Sequence, residues 1–350
     1  MTRRTRILTA LDGGMPDRPP IAFDSRPGAM HAVLEHYGAR TKNDLYLNAG
    51  IDGFSVWEWN AVMGEYAGPV KTAADGTMLD FWGNASQTHF GLAYCETPSD
   101  IEKHPWPDVG QFDFSRIREQ ARAIKSKDMV VSAGHMGLGY QMHNMLRGNE
   151  NALFDVMDDD FMQAYMARLS EFSLEYLDAL LTTGAGEIDV VRADDDLGTM
   201  DRLMVSPATW RRYYKPAWQR AFDLCHRHGA RVWFHCCGHI APLLEDLVEI
   251  GVDCWNPFPP YVAGNDHVRL AQWRQGRLSL DGGVSHLVLV QGTPEDVADE
   301  TNRVLDLFGP QGGLLIGPSQ VVTEDMPPAN VIAMFDTALE WGRKAEGCRL

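Results

Sequence analysis

Ile188-Asp-Val-Val-Arg192-Ala-Asp-Asp-Asp-Leu-Gly198 and Arg231-Val-Trp-Phe-His235-Cys-Cys-Gly-His239 are the two stretches that decide the fold. Each is a short apolar run, rich in β-branched or aromatic residues, that ends on polar groups. Between them lies a helical pattern over about 207–228. Strand, helix and strand in that order imply parallel strands joined by right-handed crossovers. The alternation extends outward in both directions. It reads as a strand at 129–133 and a helix at 160–183 before this unit, then a helix at 240–250, strands at 252–255 and 278–280, a helix at 294–307 and a strand at 313–316 after it. An open doubly wound sheet and a closed barrel both produce such a pattern. No Gly-rich phosphate loop follows any strand, which weakens the nucleotide-binding open sheet. Metal-type and polar residues instead follow several strands directly, as they do at the C-terminal mouth of a barrel. The spacing therefore favours the barrel.

Composition sets outer limits. With 350 residues, 45% hydrophobic and 23% charged, the chain is expected to form one domain over 1–350 with a large core. Its first third, about 1–110, is irregular and rich in Gly, Pro and aromatics, and is expected to pack on the barrel. A net charge of −17 argues against nucleic acid as a partner, because phosphate binding needs a basic footprint. No apolar stretch is long enough to span a bilayer and no apolar signal core follows the basic N-terminus, so neither a membrane nor secretion is expected. The six cysteines include adjacent Cys236 and Cys237, a poor structural bridge, and a reducing cytoplasm fits best.

The strongest local chemistry is at His235 and Cys237. Side chains alternate along a strand, so these two share one face while Cys236 points to the other. An imidazole and a thiolate two residues apart suit a single borderline metal such as zinc, although a catalytic zinc needs a third protein ligand and an open position. Asp194, Asp195 and Asp196 crowd the end of the preceding strand. One of them serves as a general base or substrate clamp, or the three form a solvated loop. Asn256, Asp281 and Gln320 follow later strands, and Tyr140 and His143 follow the strand at 129–133. In the N-terminal third, Phe23-Asp24-Ser25-Arg26 and Trp57-Glu58-Trp59-Asn60 are candidate pocket walls.

Taken together these pieces resemble the uroporphyrinogen decarboxylase superfamily. The resemblance is carried by Thr5-Arg6 through Asp17-Arg18-Pro-Pro, Asp75-Gly76 through Trp82-Gly83, Trp106-Pro107-Asp108 and Leu146-Arg147-Gly148-Asn-Glu150-Asn151. It continues through Asp195-Asp196-Leu-Gly-Thr, Lys215-Pro216, His235-x-Cys237-Gly238, Gly251-Val-Asp253, Gly292-Thr-Pro-Glu295 and Asp325-x-Pro327-Pro328-x-Asn330. It implies a (β/α)8 TIM barrel of the uroporphyrinogen decarboxylase type, with its site at the C-terminal ends of the strands. The porphyrin decarboxylases carry an Arg-rich M-R-Q-A-G-R-Y segment near the N-terminus. Here the corresponding stretch, Ala22 to Gly28, holds Arg26 alone. The methyltransferase-like branch, which works with a corrinoid, binds zinc through H-x-C and a later Cys. His235 and Cys237 match the first two positions, but the third falls at about Gln320. Cys254, Asp281 or another carboxylate must then complete the site, or metal binding has been altered.

The resemblance implies a corrinoid-dependent methyltransferase. It would move a methyl group between a small substrate and cobalamin or a corrinoid protein, with zinc at His235 and Cys237. Asp195, Asp196 and His235 would be catalytic, while Arg26, Trp57, Tyr140, His143, Asn256 and Gln320 would contact substrate. The sequence has no corrinoid-binding D-x-H-x-x-G segment, so the corrinoid is expected free or on a separate protein. The alternative is a lyase or decarboxylase of a small carboxylic acid held by Arg26 or Arg192.

Overall fold

The computed structural model describes residues 1–56, 61–85, 89–134 and 137–347. Seven parallel strands form one sheet in chain order: β1 (Ala61–Val62), β2 (Ser132–Gly134), β3 (Val190–Asp194), β4 (Arg231–His235), β5 (Cys254–Asn256), β6 (Ser279–Val284) and β7 (Leu314–Pro318). Sequential neighbours in a parallel sheet, each reached through helical crossovers, give the barrel progression.

The N-terminal third closes the ring, which makes it part of the barrel wall as well as a covering. Ile21 bridges Ile316 of β7 and Ala22 bridges Phe54, both in parallel. The Ser132 hydroxyl of β2 then donates to the Val56 carbonyl. These two wall segments carry isolated bridges where the other strands carry ladders. Prolines at 19 and 20 lack the N–H that a longer ladder would need.

The barrel interior is a separate apolar cluster. Val130, Val190, Trp233, Cys254 and Leu315 pack there with Ile7, Ala10 and Leu11. The last three lie on the helix Arg3–Leu11, which stoppers the N-terminal end of the barrel. Ser279 fixes that helix by donating to the carbonyls of Ala10 and Leu11. Arg6 and Arg18 share the fully buried Asp52, at 2.8 and 2.6 Å, and tie the same end to the first wall segment. With the base filled, open space is left at the C-terminal mouth.

The outer helices follow the expected periodicity. The helix Asp159–Gly184 is capped by Asp158 and ends at Ala185 in a left-handed conformation. The pattern over 207–228 is two helices, Pro207–Tyr213 and Lys215–Arg227. Pro216 enters the first turn of the second, where its missing N–H costs nothing. No helix among the described residues is long and apolar enough to cross a membrane.

Candidate active site

β3, β4 and β5 are in register so that Asp194 pairs with His235 and His235 with Asn256. These side chains therefore lie at one level inside the mouth. Above them is a cavity of about 380 Å³, lined by Phe23, Asp24, Phe54, Trp233, His235, Asn256, Asp281 and Gln320 among others. That volume falls within the usual range for small-molecule sites.

The three adjacent aspartates have three different fates. Asp194 points inward with the strand alternation and pairs with Arg192 at 2.6 Å. Asp195 points outward, is fully buried, and accepts from the Gln141 amide at 2.8 Å and the Trp218 indole at 3.1 Å. Burial, with Asp196 beside it, pushes its pKa up to about 7 against those hydrogen bonds. Asp196 turns back beyond the strand end, where the Gln141 side chain donates to its Oδ2 at 3.1 Å.

Asp196, His235 and Cys237 present donor atoms all within 4.8 Å of one another. Asp196 Oδ1 lies 3.8 Å from His235 Nε2 and 3.4 Å from Cys237 Sγ. His235 Nδ1 faces Asn256 Oδ1 at 2.8 Å, and the Asn256 amide nitrogen donates to the Asp281 carbonyl at 3.1 Å. That second bond fixes which way the amide points, so Nδ1 carries the proton and Nε2 offers its lone pair to the cluster. Burial and the Asp196 charge push the Cys237 thiol up to about 11, while Gln320 works the other way. Cys236 is fully buried on the opposite face, where it accepts from the Leu197 amide. The alternation expected from the sequence holds.

Two glycines make this geometry possible. A Cβ on Gly238 would lie 2.0 Å from the Gly198 carbonyl oxygen, so the loops carrying Cys237 and Asp196 touch backbone to backbone. A Cβ on Gly139 would meet the Asp195 carboxylate at 1.9 Å.

The structure redistributes the candidate residues. His235, Cys237, Asp196, Asn256 and Gln320 come together at the mouth. Phe23, Asp24 and Ser25 line the cavity, as expected of that stretch, but Arg26 is exposed outside the lining. Asp195 is not among the cavity-lining residues, because the alternation at the end of β3 turns it toward the helix layer. His143 is fully buried on the helix Tyr140–Arg147, between the Tyr214 hydroxyl at 2.8 Å and Asp155 at 3.0 Å. Tyr140, on the same helix, is buried and does not line the cavity. Both follow a strand in sequence but sit on the inward face of the helix, so neither is a pocket wall. The stretch from Trp57 to Asn60 lies outside the described residues. Of the candidate third ligands, Cys254 is sealed in the barrel core and Asp281 accepts from the Trp233 indole at 2.8 Å, which leaves Asp196 as the carboxylate in the cluster.

Sequence reasoning missed Ser55 and Trp233 as cavity residues. The alternation that selects His235 also places Trp233 inward, so that signal was present. Ser55 donates to Asp24. Trp233 stacks against His235, with ring centroids 6.0 Å apart.

A closed parallel barrel with a polar cluster at its C-terminal mouth defines an enzyme-like site of the TIM-barrel class. The uroporphyrinogen decarboxylase (URO-D) family profile matches residues 93–341, and the chain belongs to that family. A uroporphyrinogen decarboxylase from Geobacter sp. (strain M21) is 28% identical over 191 residues, covering 53% of this chain and 51% of that protein. An enzyme of the same name from Thermus thermophilus is 29% identical over 170 residues, covering 47% and 45%. The chain thus spans about half the length of the curated relatives it matches. Among solved structures, a methyltransferase from Methanosarcina mazei superposes with a TM-score of 0.63 at 20% identity, covering 97% of this chain and 99% of that one. That likeness extends the shared fold to nearly the whole chain.

Proposed function

We propose that this protein is a methyltransferase moving a methyl group between a small substrate in the barrel mouth and a corrinoid. The corrinoid would be free cobalamin or bound to a separate protein. The single observation that carries the reading is the Asp196–His235–Cys237 cluster beside the cavity. One nitrogen, one sulfur and one oxygen donor form a set that suits zinc and leaves a fourth position for substrate. Zinc held there would act as a Lewis acid, keeping an acceptor thiolate ionised or polarising the group that loses methyl. The corrinoid rests on the sequence resemblance to the methyltransferase-like branch.

The chain's own residues do the positioning. Asn256 holds the His235 ring and its tautomer. Gln141 orients Asp196, and Asp195 anchors the backbone of Gln141. Phe23, Phe54 and Val56 give the cavity apolar walls that limit water around the transferring group. The lyase alternative requires a cation for a substrate carboxylate. Among the described residues, the cavity lining includes neither Lys nor Arg, and Arg192 is ion-paired with Asp194.

The test is to mix metal-replete protein with cob(I)alamin and candidate methyl donors and follow the cobalt absorption bands. Donor-dependent methylation abolished by His235→Ala is the expected result. Turnover of a small carboxylic acid with no corrinoid present would overturn the reading.

A further inference from the structure

The helix Tyr140–Arg147 starts at Gly139, which has no side chain to cap it. Asp195 takes that place from the end of β3. Its Oδ1 accepts from the backbone N–H of Gln141 at 2.8 Å, a first-turn amide with no partner inside the helix. A side chain in place of Gly139 would strike the Asp195 carboxylate, so the helix end sits directly on it. Two residues on, His143 bonds Tyr214 and Asp155 and locks the same helix into the core. Gln141 is thus fixed by its backbone, and its side-chain Nε2 donates to Asp196 Oδ2 at 3.1 Å. A carboxylate only accepts, so the amide nitrogen is the atom that faces it. The other oxygen, Oδ1, lies 3.8 Å from His235 Nε2 and 3.4 Å from Cys237 Sγ. The two oxygens of Asp196 therefore have separate partners: one the amide, the other the cluster.

We infer that Gln141 sets the metal preference of the cluster by holding Asp196 to a single donor oxygen. This rests on the metal site of the proposed function and names the residue that makes that site selective. With Oδ2 engaged by the amide, Asp196 supplies one donor, His235 a second and Cys237 a third, and a fourth place stays open. A low-coordinate set containing nitrogen and sulfur suits zinc or cobalt(II). Without Gln141 the carboxylate is free to turn both oxygens to the ion, as carboxylates do around larger cations that prefer oxygen. The added oxygen then shifts the balance from zinc toward manganese(II). Gln141 acts through Asp196 and is a positioning residue.

The test is to strip the full-length protein with chelator and titrate it with cobalt(II) chloride. Cobalt(II) absorbs visible light strongly in four-coordinate sites and weakly in six-coordinate ones. Wild type is expected to give the strong bands at stoichiometric metal. Gln141→Met keeps the backbone bond to Asp195 and removes the side-chain donor. It is expected to weaken the bands and to lower the zinc-over-manganese affinity ratio by about tenfold or more. Gln141→Asn, whose amide is one methylene short, is expected to do the same and decides should Gln141→Met fail to fold in thermal melts. Weak bands in wild type, or wild-type bands in a folded variant, overturn the inference. So does an equal loss of affinity for both metals with the bands unchanged, which is what a merely structural role would give. Wild-type protein that takes up no cobalt overturns the metal site and this inference together. The expected cobalt behaviour in a protein that methylates no corrinoid would remove the methyl-transfer reading and leave the role of Gln141.

Discussion

His235 Nδ1 lies 2.8 Å from Asn256 Oδ1, and with that contact made it is Nε2 that faces the Asp196–Cys237 pair. Because Asn256 also donates to the Asp281 carbonyl, its amide cannot flip without losing both bonds. Asn256→Ala should therefore lower zinc affinity by about 10- to 100-fold, the usual cost of losing a partner behind a metal-binding histidine. Competition with a chromogenic chelator measures it. Unchanged affinity would mean that the ring is held by something other than Asn256.

The two adjacent cysteines should behave oppositely. Cys237→Ala removes a donor from the cluster and should abolish stoichiometric zinc with little loss of folding stability. Cys236→Ala empties a buried site under Leu197 and should retain zinc while lowering stability by about 1 kcal/mol. Elemental analysis beside thermal melts separates the two. Equal metal loss in both variants would contradict the facing of the β4 side chains.

The different legibility of these residues has a physical basis. β3 and β4 are readable because buried parallel strands need continuous apolar runs, and period-two alternation then places His235, Cys237 and Trp233 without further information. Asp196 is not separable from Asp194 and Asp195 by sequence, because its direction depends on how the loop turns past the strand end. That turn is set by the backbone contact of Gly198 with Gly238, which joins loops far apart in the chain. Ser55 sits on a wall segment held by isolated bridges, too short to show a strand period. His143 and Tyr140 mislead because position after a strand suggests the mouth, whereas helix periodicity turns both into the core.

Asp281 gives a stability test with a defined sign. Its folded pKa is raised to about 7 from 3.8, so the folded state binds the proton more tightly than the unfolded chain. Its contribution to stability is fully present below about pH 4, is lost as pH rises to about 7, and is flat above that. His104, His143 and His267, held neutral by burial, act in the opposite sense over part of this window. They are common to wild type and variant. Asp281→Asn should therefore lose less stability than wild type between about pH 5 and 7.5, measured by urea unfolding with chelator present. A variant with the wild-type slope would show that Asp281 titrates as an ordinary carboxylate.

The porphyrin reaction itself supplies the last prediction. Uroporphyrinogen carries carboxylates on every pyrrole, and a site that orients it needs several cations at the barrel mouth. Arg26 is exposed outside the cavity lining, Arg192 is paired with Asp194, and Asp24 and Asp281 add negative charge where the ring would sit. Like charge at short range in a partly buried site disfavours even initial binding, by on the order of several kcal/mol per uncompensated contact. The protein should give no decarboxylation of uroporphyrinogen under anaerobic conditions in which one of the similar decarboxylases turns over fully. Chromatography of the oxidised porphyrins resolves each lost carboxyl group. Asp24→Arg, which restores a cation on the first wall segment, should not rescue turnover, because Asp281 and the apolar rings remain. Stepwise loss of carboxyl groups by the wild-type protein would show that substrate charge is met by groups outside the described cavity, and would return the chain to the decarboxylase branch.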